Sequence, residues 1–254
     1  MRAAFSRAVR LLLICPAAAL LLAAGWLLFL FVCSLFVDRQ KQYETDSRFY
    51  RRLLYVTTAL LLKAMRIRVC VSGLELLPKD RRLLFVSNHR SNFDPIIQWQ
   101  VLKAWNPAFI SKASNFRIPI FGRIVHRCCF LPIDREDPRK AIRTINRAAA
   151  LMKAGTVSIG IYPEGTRSRT GELLPFHDGL FRIAQKAGVP MAVVTIRGTE
   201  CIRKNFPWRK TEVAVRIEKV ISAEDMHADN THRIGAGVRE IMIGTLGTGQ
   251  EATQ

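Results

Sequence analysis

Hydrophobic positions at the start of the chain fall into two apolar runs. Residues Leu11 to Val37 carry no charged side chain, and this run is longer than the ~20 residues that a helix needs to cross a bilayer. The second run, Leu53 to Met65, has basic residues at both ends and is too short to span comfortably, so it predicts an interfacial helix. A cleaved signal peptide is the rival interpretation, but its apolar region is normally ~7–15 residues long. We therefore predict membrane-associated helices over residues 1–66.

From residue 67 onward the pattern changes to short apolar segments that alternate with helical stretches. The predicted strands are Ile67–Val71, Leu83–Ser87, Ala108–Ile110, Phe130–Ile133, Val157–Tyr162, Met191–Ile196 and Val213–Val220. Strands separated by helices indicate an α/β fold with a largely parallel central sheet of about seven strands, flanked by helices. We assign this fold to one domain over residues 67–254, after the membrane-associated helical segment.

The clearest helix of this domain covers Pro138 to Ala154. Asp137 can cap it, proline suits the first helical position, and Gly155 suits the stop. The predicted apolar stripe consists of Ile142, Ile145 and Leu151.

Two further segments have helical character. Gly179 to Ala187 predicts a helix that Gly188 ends. The segment after Ala223 is weakly helical, and we expect it to fray.

Composition adds a strong positive charge. Lys and Arg outnumber Asp and Glu by 39 to 20, which gives a net charge of +19. Such a charge indicates partners rather than a fold: nucleic acid, an anionic membrane surface or phosphorylated small molecules. The apolar N-terminus favours the membrane surface.

The membrane topology is only partly set by the charges. The positive-inside rule places the N-terminus in the cytoplasm, but basic residues flank both apolar runs, so the rule leaves open whether the first run crosses. We favour a helix pair that returns, because the basic domain would then face anionic lipid at the cytoplasmic side of the membrane.

One segment mixes basic and aromatic side chains. Its members are Arg203, Lys204, Phe206, Trp208, Arg209 and Lys210. Such a patch could stack on nucleic-acid bases, lie at a lipid interface, or be an ordinary polar loop between two strands. Motifs of the known nucleic-acid-binding folds are absent from the sequence, so we expect no nucleic-acid partner.

Cysteine and histidine spacing predicts neither disulfides nor a metal site. None of the six cysteines forms a C-x-x-C pair, which favours a reducing compartment with the thiols as small core residues. Four histidines are isolated in the sequence and are expected to be surface or structural residues: His126, His177, His227 and His232.

The first polar cluster follows a predicted strand and contains His89 and Asp94. A carboxylate that holds one imidazole nitrogen leaves the other free to take a proton from a hydroxyl. A G-x-S-x-G nucleophile elbow is absent from the sequence, so the pair suggests direct proton abstraction from a bound alcohol. The alternatives are that Asp94, followed by Pro95, caps a helix and that His89 is a loop residue.

The second polar cluster, Pro163 to Ser168, also follows a predicted strand. Gly165 allows a tight turn whose backbone donors can approach an anion, and Arg167 offers forked donors suited to phosphate. Glu164 could accept from a substrate hydroxyl or fix Arg167. An ordinary turn with a surface ion pair is the alternative.

Together the two clusters resemble blocks of the 1-acylglycerol-3-phosphate acyltransferase family, which is PlsC-like. Asn88 to Asp94 matches its H-x4-D block and Pro163 to Ser168 its E-G-T-R block. Lys112, with the run Ile118–Gly122 and Arg135 at the end of the segment, is similar to the second block. The apolar run Gly188–Val194 is similar to the fourth.

This resemblance implies transfer of a fatty acyl group from acyl-CoA or acyl carrier protein to lysophosphatidic acid, giving phosphatidic acid without a bound cofactor. It implies His89 as the base and Asp94 as its orienting partner. Acceptor-binding roles are implied for Lys112, Arg135, Glu164, Gly165, Thr166 and Arg167. It also implies a pair of N-terminal helices sunk in one leaflet.

Some positions depart from the family pattern. Ser114 stands where glutamate is common, and His177 and Asp178 stand where lysines are common. The acceptor therefore stays open between lysophosphatidic acid, glycerol-3-phosphate and another lysophospholipid. A basic, membrane-tethered binding protein without catalysis is the alternative of a different class.

Overall fold

The structure is a computed structural model that describes the backbone of residues 2–247 and the side chains of residues 17–247. The side chains at the start of the first apolar run, among them Cys15, lie outside the described residues. The same holds for the last part of the predicted domain, residues 248–254.

A seven-stranded sheet forms the centre of the molecule, which confirms the predicted α/β fold and all seven predicted strands. The strands are β1 (Ile67–Ser72), β2 (Leu84–Ser87), β3 (Pro107–Lys112), β4 (Leu131–Ile133), β5 (Ser158–Ile161), β6 (Met191–Arg197) and β7 (Thr211–Ile221). Their order is β1-β7-β6-β2-β5-β3-β4. All neighbouring strands pair in parallel except β6 and β7, which are antiparallel.

This topology brings the ends of most strands to one edge, which we call the carboxyl edge. It is the edge at which β2, β3, β4, β5 and β6 end. Because β7 and its parallel partner β1 run in the opposite direction, both of these strands begin at the same edge. Loops that follow β2 and β5, and the loop that precedes β7, therefore share one side of the domain.

Nine α-helices lie within the described residues. They are α1 (Arg2–Leu35), α2 (Arg48–Ala64), α3 (Phe93–Val101), α4 (Phe121–Arg127), α5 (Pro138–Lys153), α6 (Arg182–Ala187), α7 (Ile202–Asn205), α8 (Ala223–Ala228) and α9 (Thr231–Gly247). Two apolar clusters cover the two faces of the sheet. The central strand β2 contributes to both, with Leu84 and Val86 in one cluster and Phe85 in the other. Burial on both faces explains why its sequence is continuously apolar.

Helix α5 has the predicted ends. Asp137 accepts hydrogen bonds from the backbone N–H groups of Arg139 and Lys140 at 2.9 and 3.1 Å. Its residues Ile145 and Leu151 are buried. The predicted stripe is wrong at Ile142, which is 51% exposed because it lies outside the face that packs on the sheet.

The two other predicted helical segments differ from the expectation. The segment from Gly179 forms a 3-10 turn before α6 begins at Arg182, and Gly188 ends the helix in a left-handed conformation as predicted. The expectation of a fraying tail is wrong for the described part. Met226, Val238 and Met242 in α8 and α9 are fully buried, because tertiary packing outweighs weak helix propensity.

Helix α1 contains a segment, Ala17–Leu35, that is long and apolar enough to cross a membrane. Helix α2 packs one face on the domain and leaves Val56 and Leu60 exposed. Its buried Arg51 donates to the carbonyl oxygens of Pro107 and Cys128 at 2.6 and 2.8 Å. The helix is therefore fixed to the α/β core, and a domain boundary at residues 66 and 67 stays a prediction.

The described cysteines are free thiols. Cys128 and Cys129 are buried as small core residues, as predicted. Cys70 and Cys201 are exposed, so the prediction is wrong for them.

Candidate active site

The loop that follows β2 carries His89 and is fixed from two sides. The Asn88 side chain donates to the carbonyl oxygen of Ile196 and accepts from its N–H group, at 2.9 Å each. The N–H group of Ser168 donates to the carbonyl oxygen of His89 at 2.9 Å. The loop is thus held between strand β6 and the second polar cluster.

His89 and Asp94 form the predicted pair. Nδ1 of His89 lies 2.7 Å from Oδ2 of Asp94, whose side chain is fully buried. An ionised Asp94 accepts the proton on Nδ1, which leaves Nε2 as the nitrogen that can accept a proton. The described residues provide no hydrogen bond to Nε2.

Asp94 does not cap its own helix. Helix α3 begins at Phe93, and the Asp94 carboxylate turns back to accept from the N–H groups of Arg90 and Ser91 at 2.6 and 2.7 Å. Thr199, which follows β6, donates its hydroxyl to the other carboxylate oxygen. The buried charge is therefore fully hydrogen-bonded, as a stable buried carboxylate requires.

The imidazole of His89 rests on an aromatic ring. Its centroid lies 4.3 Å from that of Tyr162 with an interplanar angle of 21°. Burial raises the pKa of Tyr162 well above its ordinary value, with a smaller contribution from the charge of Asp94. A neutral phenol therefore supports the ring and restricts its rotation.

Glu164 is buried beneath the same loop. Its two carboxylate oxygens accept from the N–H groups of His89 at 2.7 Å and Leu174 at 3.0 Å. Burial raises the pKa of Glu164, and these two backbone donors partly offset that effect. The geometry makes Glu164 a support of the His89 loop. Its predicted contact with the substrate stays a prediction.

Gly165 occupies a turn that needs glycine. Its φ of +68° lies in the left-handed region, and a Cβ atom there would lie 2.7 Å from Cδ2 of His177. The turn therefore brings its backbone directly against an imidazole ring.

A cavity of about 1010 Å³ opens beside His89. Every predicted site residue lines it except Asp94 and Glu164, which lie behind His89; the lining members are His89, Lys112, Arg135, Gly165, Thr166 and Arg167. Partial burial lowers the pKa of Arg135. The apolar part of the lining includes Trp99, Phe109, Phe121, Val125, Phe130 and Ile145. The cavity thus combines a cationic surface with an apolar wall.

Sequence reasoning missed several residues of this site. They are Asn115, Tyr162, His177 and Thr199. Tyr162 directly follows the apolar strand β5, which is the signal that could have found it, whereas no local pattern marks Thr199. His177 and His232 are exposed surface residues as predicted; His177 also lines the cavity, and Nδ1 of His232 lies 2.8 Å from Oδ2 of Asp178.

Metal ligands are not gathered at the site. Among the residues whose side chains the structure describes, no group of three or more His, Cys, Asp or Glu could hold a metal ion.

A family model described as Acyltransferase matches residues 68–197, which cover more than half of the chain and contain both polar clusters. The chain belongs to this acyltransferase family. The resemblance inferred from the two clusters is therefore confirmed.

Curated relatives of this acyltransferase carry a more specific name. A chloroplastic 1-acyl-sn-glycerol-3-phosphate acyltransferase from Brassica napus is 37% identical over 155 residues, which are 59% of this chain and 44% of the relative. A 1-acyl-sn-glycerol-3-phosphate acyltransferase from Haemophilus influenzae is 29% identical over 170 residues, which are 65% of this chain and 70% of the relative. The acyltransferase thus spans less than half the length of its chloroplastic relative.

A solved structure has the same fold as this acyltransferase. It is the 1-acyl-sn-glycerophosphate (LPA) acyltransferase PlsC from Thermotoga maritima, with a TM-score of 0.67 and 22% identity. The match covers 89% of this chain and 88% of that one.

Proposed function

We propose that this acyltransferase esterifies the free hydroxyl of lysophosphatidic acid with a fatty acyl group from acyl-CoA or acyl carrier protein. The observation that supports it most is the His89–Asp94 pair, 2.7 Å apart, beside a cavity with cationic and apolar walls. The names of the curated relatives agree with this reaction.

In the proposed reaction Nε2 of His89 takes the proton from the acceptor hydroxyl. The hydroxyl oxygen forms a bond to the thioester carbonyl carbon, and the C–S bond then breaks. The departing sulfur receives the proton from His89 and leaves as a thiol. Asp94 stabilises the imidazolium that exists between the two proton transfers, and such base catalysis typically contributes ~10²–10⁴-fold.

The cationic part of the cavity would hold the phosphate of the acceptor. Arg167 and Lys112 are exposed at the carboxyl edge and line the cavity together with Arg135. Guanidinium groups offer paired donors that match phosphate oxygens. Thr166, next to Arg167, adds a hydroxyl to the same lining.

The apolar wall would hold an acyl chain. Trp99 packs edge-on against Phe109 and Phe130, and these two rings are tilted against each other, with centroid distances of 5.6–6.2 Å. A chain along these rings would place its carbonyl carbon near the imidazole. The reaction needs no resident cofactor, because a thioester is already activated toward an alcohol.

Helices α1 and α2 would keep the enzyme at a membrane, where the lysophosphatidic acid acceptor resides. The proposed side is the cytoplasmic face, because the basic surface suits anionic lipid there. Because the proposed acceptor and product are lipids, we expect no nucleic-acid partner at this site.

Acyl transfer by the purified, detergent-solubilised chain tests the proposal. Labelled oleoyl-CoA and lysophosphatidic acid are supplied to the wild type, to His89→Ala and to His126→Ala. His126 is a matched control because it lies outside the cavity lining and bonds to the carbonyl oxygen of Lys41. We expect phosphatidic acid from the wild type and from His126→Ala, and none from His89→Ala.

Substrate choice is tested in parallel arms. Glycerol-3-phosphate and lysophosphatidylcholine replace the acceptor, and oleoyl-acyl carrier protein replaces the donor. Faster transfer to one of these acceptors would overturn lysophosphatidic acid as the substrate. Transfer by His89→Ala at the wild-type rate would overturn the base role.

A further inference from the structure

An exposed loop outside the cavity combines aromatic and basic side chains. Residues 203–210, which we call the Trp208 loop, run from α7 to the start of β7. Trp208 is 84% exposed and Phe206 is 43% exposed. The exposed basic members are Arg203, Lys204, Arg209 and Lys210. An indole this exposed, beside cations, is typical of a surface that meets the headgroup layer of a membrane.

The positive charge of the Trp208 loop is not neutralised by its neighbours. The acidic residues that flank it in sequence are engaged elsewhere: Glu200 pairs with Arg90 at 3.1 Å and Glu212 with Arg68 at 3.8 Å. Within residues 17–247, none of the four basic side chains of the loop forms an ion pair. The loop therefore presents a net charge complementary to an anionic surface.

The fold places the Trp208 loop at the carboxyl edge, which also carries the His89 loop. The loop leads directly into β7, whose first residue, Thr211, pairs with Ile67 at the start of β1. Arg66 donates to the carbonyl oxygens of Pro207 and Trp208 at 3.2 Å each. This contact ties the loop to the end of α2, since that helix ends at Ala64.

Helix α2 exposes apolar side chains near its C-terminal end. Val56 is 40% exposed and Leu60, one turn later, is 54% exposed. Lys63 follows in the last turn of the helix and is also exposed. The exposed face of α2 that carries Val56, Leu60 and Lys63 therefore leads to the Trp208 loop on the same side of the molecule.

The N-terminal part of helix α1 lies near the same end of α2. The Tyr50 hydroxyl donates to the carbonyl oxygen of Cys33 at 2.8 Å, and Nε1 of Trp26 donates to Oγ1 of Thr57 at 3.2 Å. The two helices are therefore antiparallel, and Leu20 in α1, 71% exposed, lies toward the end of α2 that meets the loop. Exposed apolar surface thus continues from the candidate span to the loop.

We propose that the Trp208 loop is a second membrane contact, with Trp208 and Phe206 at headgroup level and the four basic side chains on anionic headgroups. The contact goes beyond the acyl-transfer reaction, since no loop residue lines the cavity. Together with α1 and α2 it would hold the carboxyl edge, and so the mouth of the cavity, against the bilayer.

Quenching of tryptophan fluorescence by lipids with brominated acyl chains tests the contact. The full chain is reconstituted into phosphatidylcholine vesicles with and without phosphatidylglycerol, on a Trp26→Phe background that removes the indole of α1. Trp99 and Trp105 are only 1% and 7% exposed. We expect quenching in anionic vesicles that is lost in Trp26→Phe/Trp208→Phe and reduced in pure phosphatidylcholine.

A matched pair of charge reversals tests the electrostatic part. Arg209→Glu/Lys210→Glu changes the loop, whereas Lys103→Glu/Lys153→Glu makes the same change of net charge. Those control residues are exposed and lie before β3 and β5, at the opposite edge. We expect Arg209→Glu/Lys210→Glu to reduce quenching and the control pair to leave it unchanged. In the protein with an unaltered loop, added salt should also reduce quenching.

Two results would overturn the proposal. One is quenching that does not depend on Trp208 in either vesicle type. The other is an equal effect of the two charge reversals, which would assign the attraction to net charge alone. Because fluorescence is read without substrate, neither result depends on whether the enzyme accepts lysophosphatidic acid.

Discussion

Thr199 and His89 bind opposite oxygens of the same carboxylate: the threonine hydroxyl donates to Oδ1 of Asp94, and the imidazole faces Oδ2. Asp94 lies on α3, His89 follows β2 and Thr199 follows β6. The orientation of the imidazole is thus set by three elements that meet at the carboxyl edge. A side chain held in this way loses little entropy when a ligand binds against it.

Replacement of Thr199 by valine removes a donor from a buried charge and keeps the side-chain shape. Because hydrogen bonds to charged groups contribute about 1.5–3 kcal/mol, we expect Thr199→Val to lower the free energy of unfolding by about that amount. We also expect a lower kcat, since Asp94 loses one of its restraints. Urea unfolding and acyl-transfer kinetics measure both effects. Thr199→Ser keeps the hydroxyl and should resemble the wild type; equal losses in both variants would contradict the role of the hydrogen bond.

Glu164 predicts a pH dependence of stability. Burial raises its pKa in the folded protein above the ordinary value of 4.5. The folded state therefore binds this proton more tightly than the unfolded state. Its contribution to stability is present at low pH and is lost as the pH rises from 4.5 through the raised value.

Glu164→Gln, which cannot ionise, isolates that contribution. We expect the free energy of unfolding to fall less steeply with pH in Glu164→Gln than in the wild type, over a series from pH about 4 to 7. Urea titrations at each pH measure the slopes. Identical slopes in the two proteins would show that Glu164 does not titrate in this range.

We predict a loss of stability when a side chain is added at Gly165. Gly165→Ala would place Cβ 2.7 and 2.8 Å from Cδ2 and Nε2 of His177, at a φ of +68°. The left-handed conformation alone costs about 1–2 kcal/mol for a residue with a Cβ atom. We expect thermal unfolding to show at least this loss. Combining it with His177→Ala should recover the part due to the contact; no recovery would assign the whole effect to the backbone.

Arg167 predicts a specific effect on acceptor binding. Arg167→Ala should raise KM for lysophosphatidic acid about tenfold, because a charge-assisted contact to phosphate is lost at an exposed site. Arg169→Ala is the matched control, since Arg169 is exposed nearby but does not line the cavity. Steady-state kinetics at varied acceptor concentration measure both. Equal KM values in the two variants would argue against phosphate binding by Arg167.

Local sequence signals predicted the strands and the two polar clusters well. Each strand is a short apolar segment, and His89 and Gly165 lie in the loops that follow β2 and β5. Parallel strands bring such positions to one edge, so their proximity follows from the fold class alone. The ends of helix α5 were equally predictable, because Asp137 and Gly155 are local signals for the start and the end of a helix.

Contacts over long sequence distances were not predictable in the same way. Thr199 lies 105 residues from Asp94, and no pattern around it indicates a buried acceptor. The sequence did not indicate that the Glu164 carboxylate accepts from the backbone of the His89 loop, 75 residues away. Such pairings depend on strand order, which local periodicity does not specify.

The packing of the C-terminal helix α9 was also not predictable from local sequence signals. Met242 in α9 is fully buried, whereas its neighbour Ile243 is 45% exposed. Truncation of a buried methionine leaves a cavity and costs about 2–5 kcal/mol, so Met242→Ala should lower the free energy of unfolding by that amount. Ile243→Ala removes a similar apolar volume from the surface and should change it by less than about 0.5 kcal/mol. Urea unfolding of both variants measures the difference, and equal small effects would mean that α9 frays in solution, as its weak helix propensity alone suggests.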